Sequence, residues 1–366
     1  MHTSISCLIF IFCFVWTAAS AQVTTLAPQI DKRMELMAIA YQLAKETPIE
    51  KTRNPYYSNA IQLYFKPVKN HPLIEYIRRA ITKFETNGLD IAAWELPSLA
   101  VHLTQPPHLT ALVSLKDSIQ SDGWDDRTLL NDEVIELINR FYADGRCEDF
   151  FTIQQPYYHQ LETTYRQNNI SVNQKMIKDF VGLPPTEVYY PIFSPYFESG
   201  AYLRVNFGNN LRNTHTLFTG SFTTKGDATT FNDVAIPRLM VHEYVHALVN
   251  QVVDKHKPEM KQSAERLVAN PKVWNRVKDT FYNTWHFLLY ESLVRACSIQ
   301  YMLMDPAFQT TLEKEIALQE PAGFFWMRDL LVELNHYQAN RKQYPSLEHL
   351  APALIKFFER TASQLK

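Results

Sequence analysis

The residues of this chain that could do chemistry are concentrated in the stretch RLMVHEYVHALVNQ, residues 238–251. It contains the pattern H-E-x-x-H, with His242, Glu243 and His246. Residues four apart on a helix share a face, so both imidazoles could bind one metal ion. Glu243 would lie beside the open coordination position, where it could take a proton from zinc-bound water and pass it to a leaving amine. The pattern predicts a zinc-peptidase helix that holds one Zn²⁺ per chain.

A zinc site of this kind needs a third protein ligand, and its identity decides the class. The metzincin pattern requires a Gly and a His downstream, but Val249 and Val252 occupy those positions. That class is therefore excluded. Gluzincins take a Glu from a later helix, and Glu265 and Glu291 are the two candidates.

Glu291 is the candidate that we favour. It lies in the apolar segment TWHFLLYESLVRACSIQYM, where a carboxylate needs a strong reason such as a metal. Glu265 has a spacing from His246 known from aminopeptidase-type gluzincins, but it lies in the charged stretch KHKPEMKQSAER, where a solvated glutamate is expected. An ion pair with Arg295, four residues after Glu291, is a second explanation for Glu291 and is compatible with the first.

Supporting roles around such a site fall to residues that the sequence does not rank firmly. Asn250 extends the face of the two histidines and could cap the helix or bond a zinc ligand. Arg295 could support the third ligand or an oxyanion. Four further side chains could donate to a tetrahedral oxyanion, namely His286, Tyr290, Tyr282 and Tyr202.

The elements that position these residues follow from hydrophobic periodicity. Apolar residues spaced by three and four predict helices at 34–46, 71–88 and 131–145. From residue 186 the period changes, which predicts strands at 186–195, 201–207 and 214–224. A helix from about residue 232 to 254 and a second long helix over 272–304 follow. The fold class predicted is α+β, predominantly helical, with a small sheet before the active-site helix.

The N-terminus predicts an exported protein. Residues 1–21 read as a secretory signal peptide, because an apolar core is followed by Ala19-Ser20-Ala21, a small-x-small cleavage site. Cleavage would remove Cys7 and Cys13 and leave Cys147 and Cys297, which allow one disulfide. We expect a secreted or periplasmic protein with no stable membrane span after cleavage. The remaining chain divides into a helical N-terminal region, 22–185, and a zincin-like core with C-terminal helices, 186–366.

The segments HEYVHALVN and YESLVRA together resemble a family of secreted, mostly bacterial gluzincin-like proteins catalogued as a domain of unknown function. That family has an H-E-x-x-H-x-x-x-N helix and a later E-x-x-x-R-A helix. The likeness extends to DKRMELMAIAYQLA, FYADGRCEDFF and AGFFWMRDLLVELNHY, so it covers most of the mature chain. The resemblance implies a zinc-peptidase fold with zinc on His242, His246 and Glu291 and Glu243 as the base.

Three functions are compatible with these observations. The first is an exported zinc-dependent metallopeptidase that acts on a peptide or protein substrate. The second is a non-catalytic extracytoplasmic binding protein with a gluzincin fold that contains zinc, although a structural site has no use for a base such as Glu243. The third is a hydrolase of a non-peptide amide. A net charge of -2 gives no reason to expect a nucleic-acid partner.

Overall fold

The computed structural model describes residues 29–52, 54–86, 91–92, 95–113, 129, 131–167, 172–183, 187–197, 201–206, 212–218, 222–225, 228–231, 235–308 and 310–365. The predicted signal peptide lies outside these ranges. Most of the described chain is helical, with a four-stranded mixed sheet and a separate two-stranded sheet, so the prediction of a predominantly helical chain is confirmed.

Helices build the N-terminal half of the chain. Asp31 and Asn131 accept hydrogen bonds from backbone N–H groups at the starts of two of them, as helix caps do. The helices predicted over 34–46, 71–88 and 131–145 are present as α1 (Lys32–Lys45), α3 (Pro72–Thr86) and α5 (Asp132–Asp144). In chain order the helices are α1 (Lys32–Lys45), α2 (Pro55–Tyr64), α3 (Pro72–Thr86), α4 (Glu95–Val101), α5 (Asp132–Asp144), α6 (Cys147–Gln167) and α7 (Gln174–Val181).

A four-stranded mixed sheet combines a strand from the N-terminus of the described chain with three strands from its middle. Its strands are β1 (Gln29–Ile30), β2 (Glu187–Phe193), β3 (Ala201–Asn206) and β4 (Arg212–Phe218), in the order β1-β2-β4-β3. The pairs β1–β2 and β2–β4 are parallel, whereas β3 runs antiparallel to β4. β5 (Phe222–Lys225) and β6 (Ala228–Phe231) form a separate antiparallel pair.

The single strand predicted over 214–224 is wrong, because the chain makes two strands there. β4 ends at Phe218, which is paired with Phe193, the last residue of β2. On its other side, Leu217 is paired with Ala201, the first residue of β3. The pairing of β4 with both β2 and β3 therefore ends at the same end of β4. The chain beyond it pairs with β6 instead.

Helices also dominate the C-terminal half. They are α8 (Ala235–Lys255), α9 (Lys257–Ala269), α10 (Pro271–Val277), α11 (Trp285–Met304), α12 (Leu312–Ala317), α13 (Met327–Ala339) and α14 (Leu347–Gln364). α8 packs against α11 on one side and against β3 and β4 on another. None of the helices in the described ranges is long and apolar enough to cross a membrane.

The single helix predicted over 272–304 is also wrong. The chain forms α10 and α11, separated by a 3-10 turn at Phe281–Asn283. The Thr280 hydroxyl donates to the Val277 carbonyl at 2.8 Å and accepts from the Tyr282 N–H at 3.1 Å. One side chain thus closes α10 and opens the turn, since a threonine hydroxyl competes with helical hydrogen bonding.

The two remaining cysteines do not form the disulfide that the sequence allows. Cys147 and Cys297 are both free and buried. Cys147 lies at the start of α6, whereas Cys297 lies in the middle of α11. Burial raises the pKa of both thiols, so each acts as a small apolar core residue.

Candidate metal centre

Helix α8 carries the H-E-x-x-H pattern at the centre of the C-terminal half. Its apolar residues are buried against α11 and the sheet, and they fix the rotation of the helix about its axis. That rotation turns His242 and His246 toward α11. The start predicted near residue 232 falls outside the described residues, and the observed helix ends at Lys255, one residue from the predicted end.

Three side chains from two helices converge at this point. The Nε2 atoms of His242 and His246 lie 3.3 Å apart. Oε1 of Glu291, on α11, lies 3.1 Å from Nε2 of His246 and 3.6 Å from Nε2 of His242. Glu291 is therefore the glutamate that the structure brings to the two histidines.

The size of this triangle fits a zinc ion. Ligand atoms held about 2.0–2.2 Å from a tetrahedral zinc lie about 3.3–3.6 Å from one another. The three observed distances lie at or near that range. Hydrogen bonds from both imidazoles to Oε1 of Glu291 would account for two of the sides, whereas a metal ion bound by all three atoms would account for the third as well. Two imidazoles and a carboxylate are also a donor set that zinc prefers.

Asn250 adds a constraint on the protonation of His246. Its amide oxygen lies 3.2 Å from Nδ1 of His246. In this orientation the amide oxygen can only accept, so the contact favours a hydrogen on Nδ1 and, in the neutral ring, a lone pair at Nε2. That lone pair would face a carboxylate oxygen of Glu291. A zinc ion or a proton between the two atoms would satisfy both of them.

The charges in the site depend on each other. Burial lowers the pKa of His246, but the hydrogen bond and negative charge of Glu291 outweigh burial, and the net pKa is raised. Burial would raise the pKa of Glu291, yet His242, His246 and Arg295 hold it well below its ordinary value. Glu291 is thus ionised although its side chain is only 9% exposed. A buried carboxylate with cationic partners is suited to binding a metal.

Arg295 holds the other oxygen of Glu291. Its Nε donates to Oε2 at 2.9 Å, which leaves Oε1 facing the histidines. Its Nη2 donates to the Tyr282 hydroxyl at 3.0 Å, and its Nη1 donates to Oε1 of Gln319 at 3.2 Å. The guanidinium also lies over the rings of Tyr282 and Phe324. The predicted ion pair between Arg295 and Glu291 is present together with the convergence on the histidines.

Glu243 lies beside the triangle and outside it. It follows His242 on α8 and is 6% exposed. Burial raises its pKa, whereas the neighbouring His242 and His246 lower it. A carboxylate of raised pKa beside two imidazoles is suited to act as a proton acceptor and donor.

The other candidates lie elsewhere. Glu265, on α9, pairs with Lys261 at 3.7 Å, and its side chain is half exposed, so it does not join the histidines. The Tyr290 hydroxyl donates to Asp254, and His286 packs beside Trp285 and Phe287. The Tyr202 side chain is outside the described part of the structure. Among these oxyanion candidates, Tyr282 contacts the site through Arg295.

Sequence reasoning missed the residues of α12 and of the turn after it that support Arg295. Gln319 and Glu315 connect Arg295 to Arg238, on α8. No local sequence pattern could have identified Glu315 and Gln319, because polar side chains on or near a short helix are normally predicted to lie on the surface. Phe324 was noted only as part of the segment that carries the family resemblance.

Comparisons with known proteins give a family and nothing further. Neither the curated proteins nor the solved structures contain a significant match to this chain. A family model described as a domain of unknown function matches residues 26–357, which is nearly all of the chain. The chain therefore belongs to the family DUF4932, a domain of unknown function.

Proposed function

We propose that this chain is a zinc-dependent metallopeptidase of the gluzincin type. The observation that carries the proposal is the convergence of His242, His246 and Glu291 with Glu243 on the adjacent position of α8. A site that served structure alone would have no use for a buried carboxylate next to the ligand triangle. The carboxylate is what a hydrolytic site needs.

The surroundings of the site support a gluzincin-type core. The third ligand comes from a later helix, α11, as in gluzincins. α8 contacts β3, which lies at the end of the strand order β1-β2-β4-β3. An edge strand has backbone groups available for an extended peptide, which can add to it as a further strand. A peptide or protein substrate is therefore the partner that we propose.

Glu243 is the proposed general base. When bound, zinc would supply a Lewis acid that polarises the scissile carbonyl and lowers the pKa of water to about 7. Glu243 takes a proton from the attacking water and returns it to the leaving amine. Tyr282 is the proposed oxyanion donor. Its hydroxyl oxygen accepts from Arg295, so its own proton is free to be donated.

The first experiment is metal analysis of purified protein together with peptide cleavage. We expect one zinc per chain in the wild type and none in His246→Ala. Glu243→Gln should retain zinc but lose cleavage of a peptide library, because the amide cannot accept the proton. Zinc absent from the wild type, or cleavage unchanged in Glu243→Gln, would refute the proposed mechanism.

The same experiment separates the alternatives. Wild-type protein that retains zinc without cleaving any peptide would favour the zinc-containing binding protein. Cleavage confined to small non-peptide amides would favour the third hypothesis. We also propose that the protein is exported. N-terminal sequencing of secreted protein should begin at Gln22, and retention of residues 1–21 would contradict the signal-peptide prediction.

A further inference from the structure

A chain of polar contacts connects the two helices that carry the candidate metal ligands. It begins at Arg238 on α8, one helical turn before His242. Nη1 of Arg238 donates to Oε2 of Glu315, on α12, at 2.6 Å. Nε2 of Gln319 donates to Oε1 of Glu315 at 3.1 Å. Arg295 on α11 completes the chain through Gln319 and leads to Glu291. Glu315 lies on α12, and Gln319 lies two residues after its end. We call Glu315 and Gln319 the α12 bridge.

The α12 bridge has only one consistent arrangement of donors and acceptors. Gln319 is 2% exposed, and its amide oxygen accepts from Arg295. Its amide nitrogen therefore faces Glu315, where it donates both to the carboxylate and to the main-chain carbonyl, at 3.1 and 3.0 Å. Rotating the amide would set its NH₂ group against the guanidinium. A buried amide left without partners is costly, so the arrangement is strongly specified.

Both ends of the bridge hold a charged group in place. Glu315 is 15% exposed and pairs with Arg238, which remains accessible from solvent. Arg295, at the other end, is held by Glu291, Tyr282 and Gln319. The side chains of Arg238 and Glu315 are linked to Glu291 through Gln319 and Arg295.

Hydrophobic contacts between α8 and α11 do not by themselves fix how far one helix is shifted along its axis relative to the other. Apolar packing is non-directional, whereas hydrogen bonds and ion pairs define distances between named atoms. A metal site requires its ligands to be held within about 0.5 Å of the binding geometry. The two histidines come from α8 and the glutamate from α11, so the spacing of the helices sets the size of the ligand triangle.

We propose that the α12 bridge is a positioning device that sets the separation of α8 and α11 and thereby the metal affinity of the site. The inference rests on the proposed function in one respect, namely that the triangle binds zinc. The residues of the bridge take no part in the chemistry. They act through Arg295 on Glu291 and through Arg238 on the helix that bears the histidines.

The test is a double-mutant cycle on full-length protein, read as zinc affinity by competition with a chromophoric chelator. Arg238→Gln and Gln319→Leu should each weaken zinc binding about tenfold, within the range for residues that support metal ligands. The double variant should be about as weak as either single one, because both changes interrupt the same chain of contacts. Arg238→Lys keeps the ion pair with Glu315 and should bind nearly as tightly as the wild type.

Two matched controls test whether any link between helices has this effect. Lys255→Gln removes an ion pair between α8 and Glu348 of α14. Gln300→Leu removes a buried amide contact between α11 and Asn335 of α13, 3.0 Å long in the wild type. Both controls should leave zinc affinity unchanged, even where they lower the melting temperature of the metal-free protein.

The visible absorption of the cobalt-substituted protein gives a second readout. It reports ligand geometry and should change in Arg238→Gln but not in Lys255→Gln. Unchanged zinc affinity in Arg238→Gln, or losses that multiply to about a hundredfold in the double variant, would overturn the inference. If Gln319→Leu fails to fold, Glu315→Gln replaces it in the cycle. Failure of the wild type to bind zinc would instead overturn the proposed metal centre.

Discussion

Arg295 binds Oε2 of Glu291 at 2.9 Å, so the other carboxylate oxygen is the one that faces the two histidines. The carboxylate is thereby committed to a single ligand atom. Without the guanidinium it could rotate and present either oxygen, or both. This division of the two oxygens makes several properties of the site testable.

Arg295→Met should weaken zinc binding by about 10–100-fold, since it removes the group that orients a metal ligand. Arg295→Lys should recover part of the loss, because it restores the charge but not the planar fork that reaches Glu291, Gln319 and Tyr282 together. Chelator competition measures both. Arg360→Met is the matched control, because Arg360 likewise lies over a ring and pairs with a glutamate. An equal loss in the control would contradict this role.

The third ligand can be tested by exchanging each candidate glutamate for its amide. Glu291→Gln should lower zinc affinity by more than the 10–100-fold expected for loss of a supporting residue, because it removes a charged ligand atom. Glu265→Gln should leave zinc affinity unchanged, since Glu265 lies on α9 with its side chain half exposed and pairs with Lys261 at 3.7 Å. Zinc titration of the two variants decides between them. The reverse result would assign the ligand to α9 and contradict the geometry.

Asn250→Ala should weaken zinc binding about tenfold, because His246 loses the acceptor that keeps the hydrogen on Nδ1. Asn250→Asp retains an acceptor at that position and should bind at least as tightly as the wild type. The measurement is again competition with a chelator. Equal zinc affinity in Asn250→Ala and the wild type would contradict a role for Asn250 in orienting His246.

Glu35 should make the stability of the protein depend on pH. It is fully buried on α1, and burial raises its pKa to about 7, an effect that the hydroxyls of Ser194 and Tyr57 only partly offset. A carboxyl with a raised folded pKa binds its proton more tightly in the folded state. The contribution of Glu35 to the free energy of unfolding is therefore largest below pH 4.5. It is lost as the pH rises to about 7.

Substitution isolates this contribution. Glu35→Gln should be more stable than the wild type at pH 8, by up to about 3 kcal/mol at about 1.4 kcal/mol per pKa unit, and nearly equal to it at pH 4.5. Urea unfolding at the two pH values measures the difference. Glu359→Gln, an exposed change on α14, serves as the control. If the free energy of unfolding changes between pH 4.5 and pH 8 by the same amount in the wild type and in Glu35→Gln, the raised pKa of Glu35 is refuted.

The elements around the site were predictable where local periodicity determined them. α8 and the later helix with Glu291 were both expected, because their apolar residues repeat at helical spacing. Glu291 stood out physically as a carboxylate among apolar neighbours. The break between α10 and α11 was missed, since apolar periodicity continues across it and a single Thr280 hydroxyl makes the turn.

Long-range pairing explains the other misses. β1 has two residues, too few for any period, and exists because it pairs with residues 192 and 193 of β2. The end of β4 depends on where two neighbouring strands stop. The α12 bridge depends on hydrogen bonds between side chains far apart in sequence. Such features are fixed by tertiary contacts and leave no local signal.

The burial of α1 has a consequence for how the protein is processed. Residues from Arg33 to Ala44 are all buried, so the helix is enclosed on every side, and β1 just before it is paired into the sheet. A protease could not excise this segment without opening the core and removing a strand. A proteolytic step that removes an inhibitory segment would therefore have to leave β1 and α1 in place.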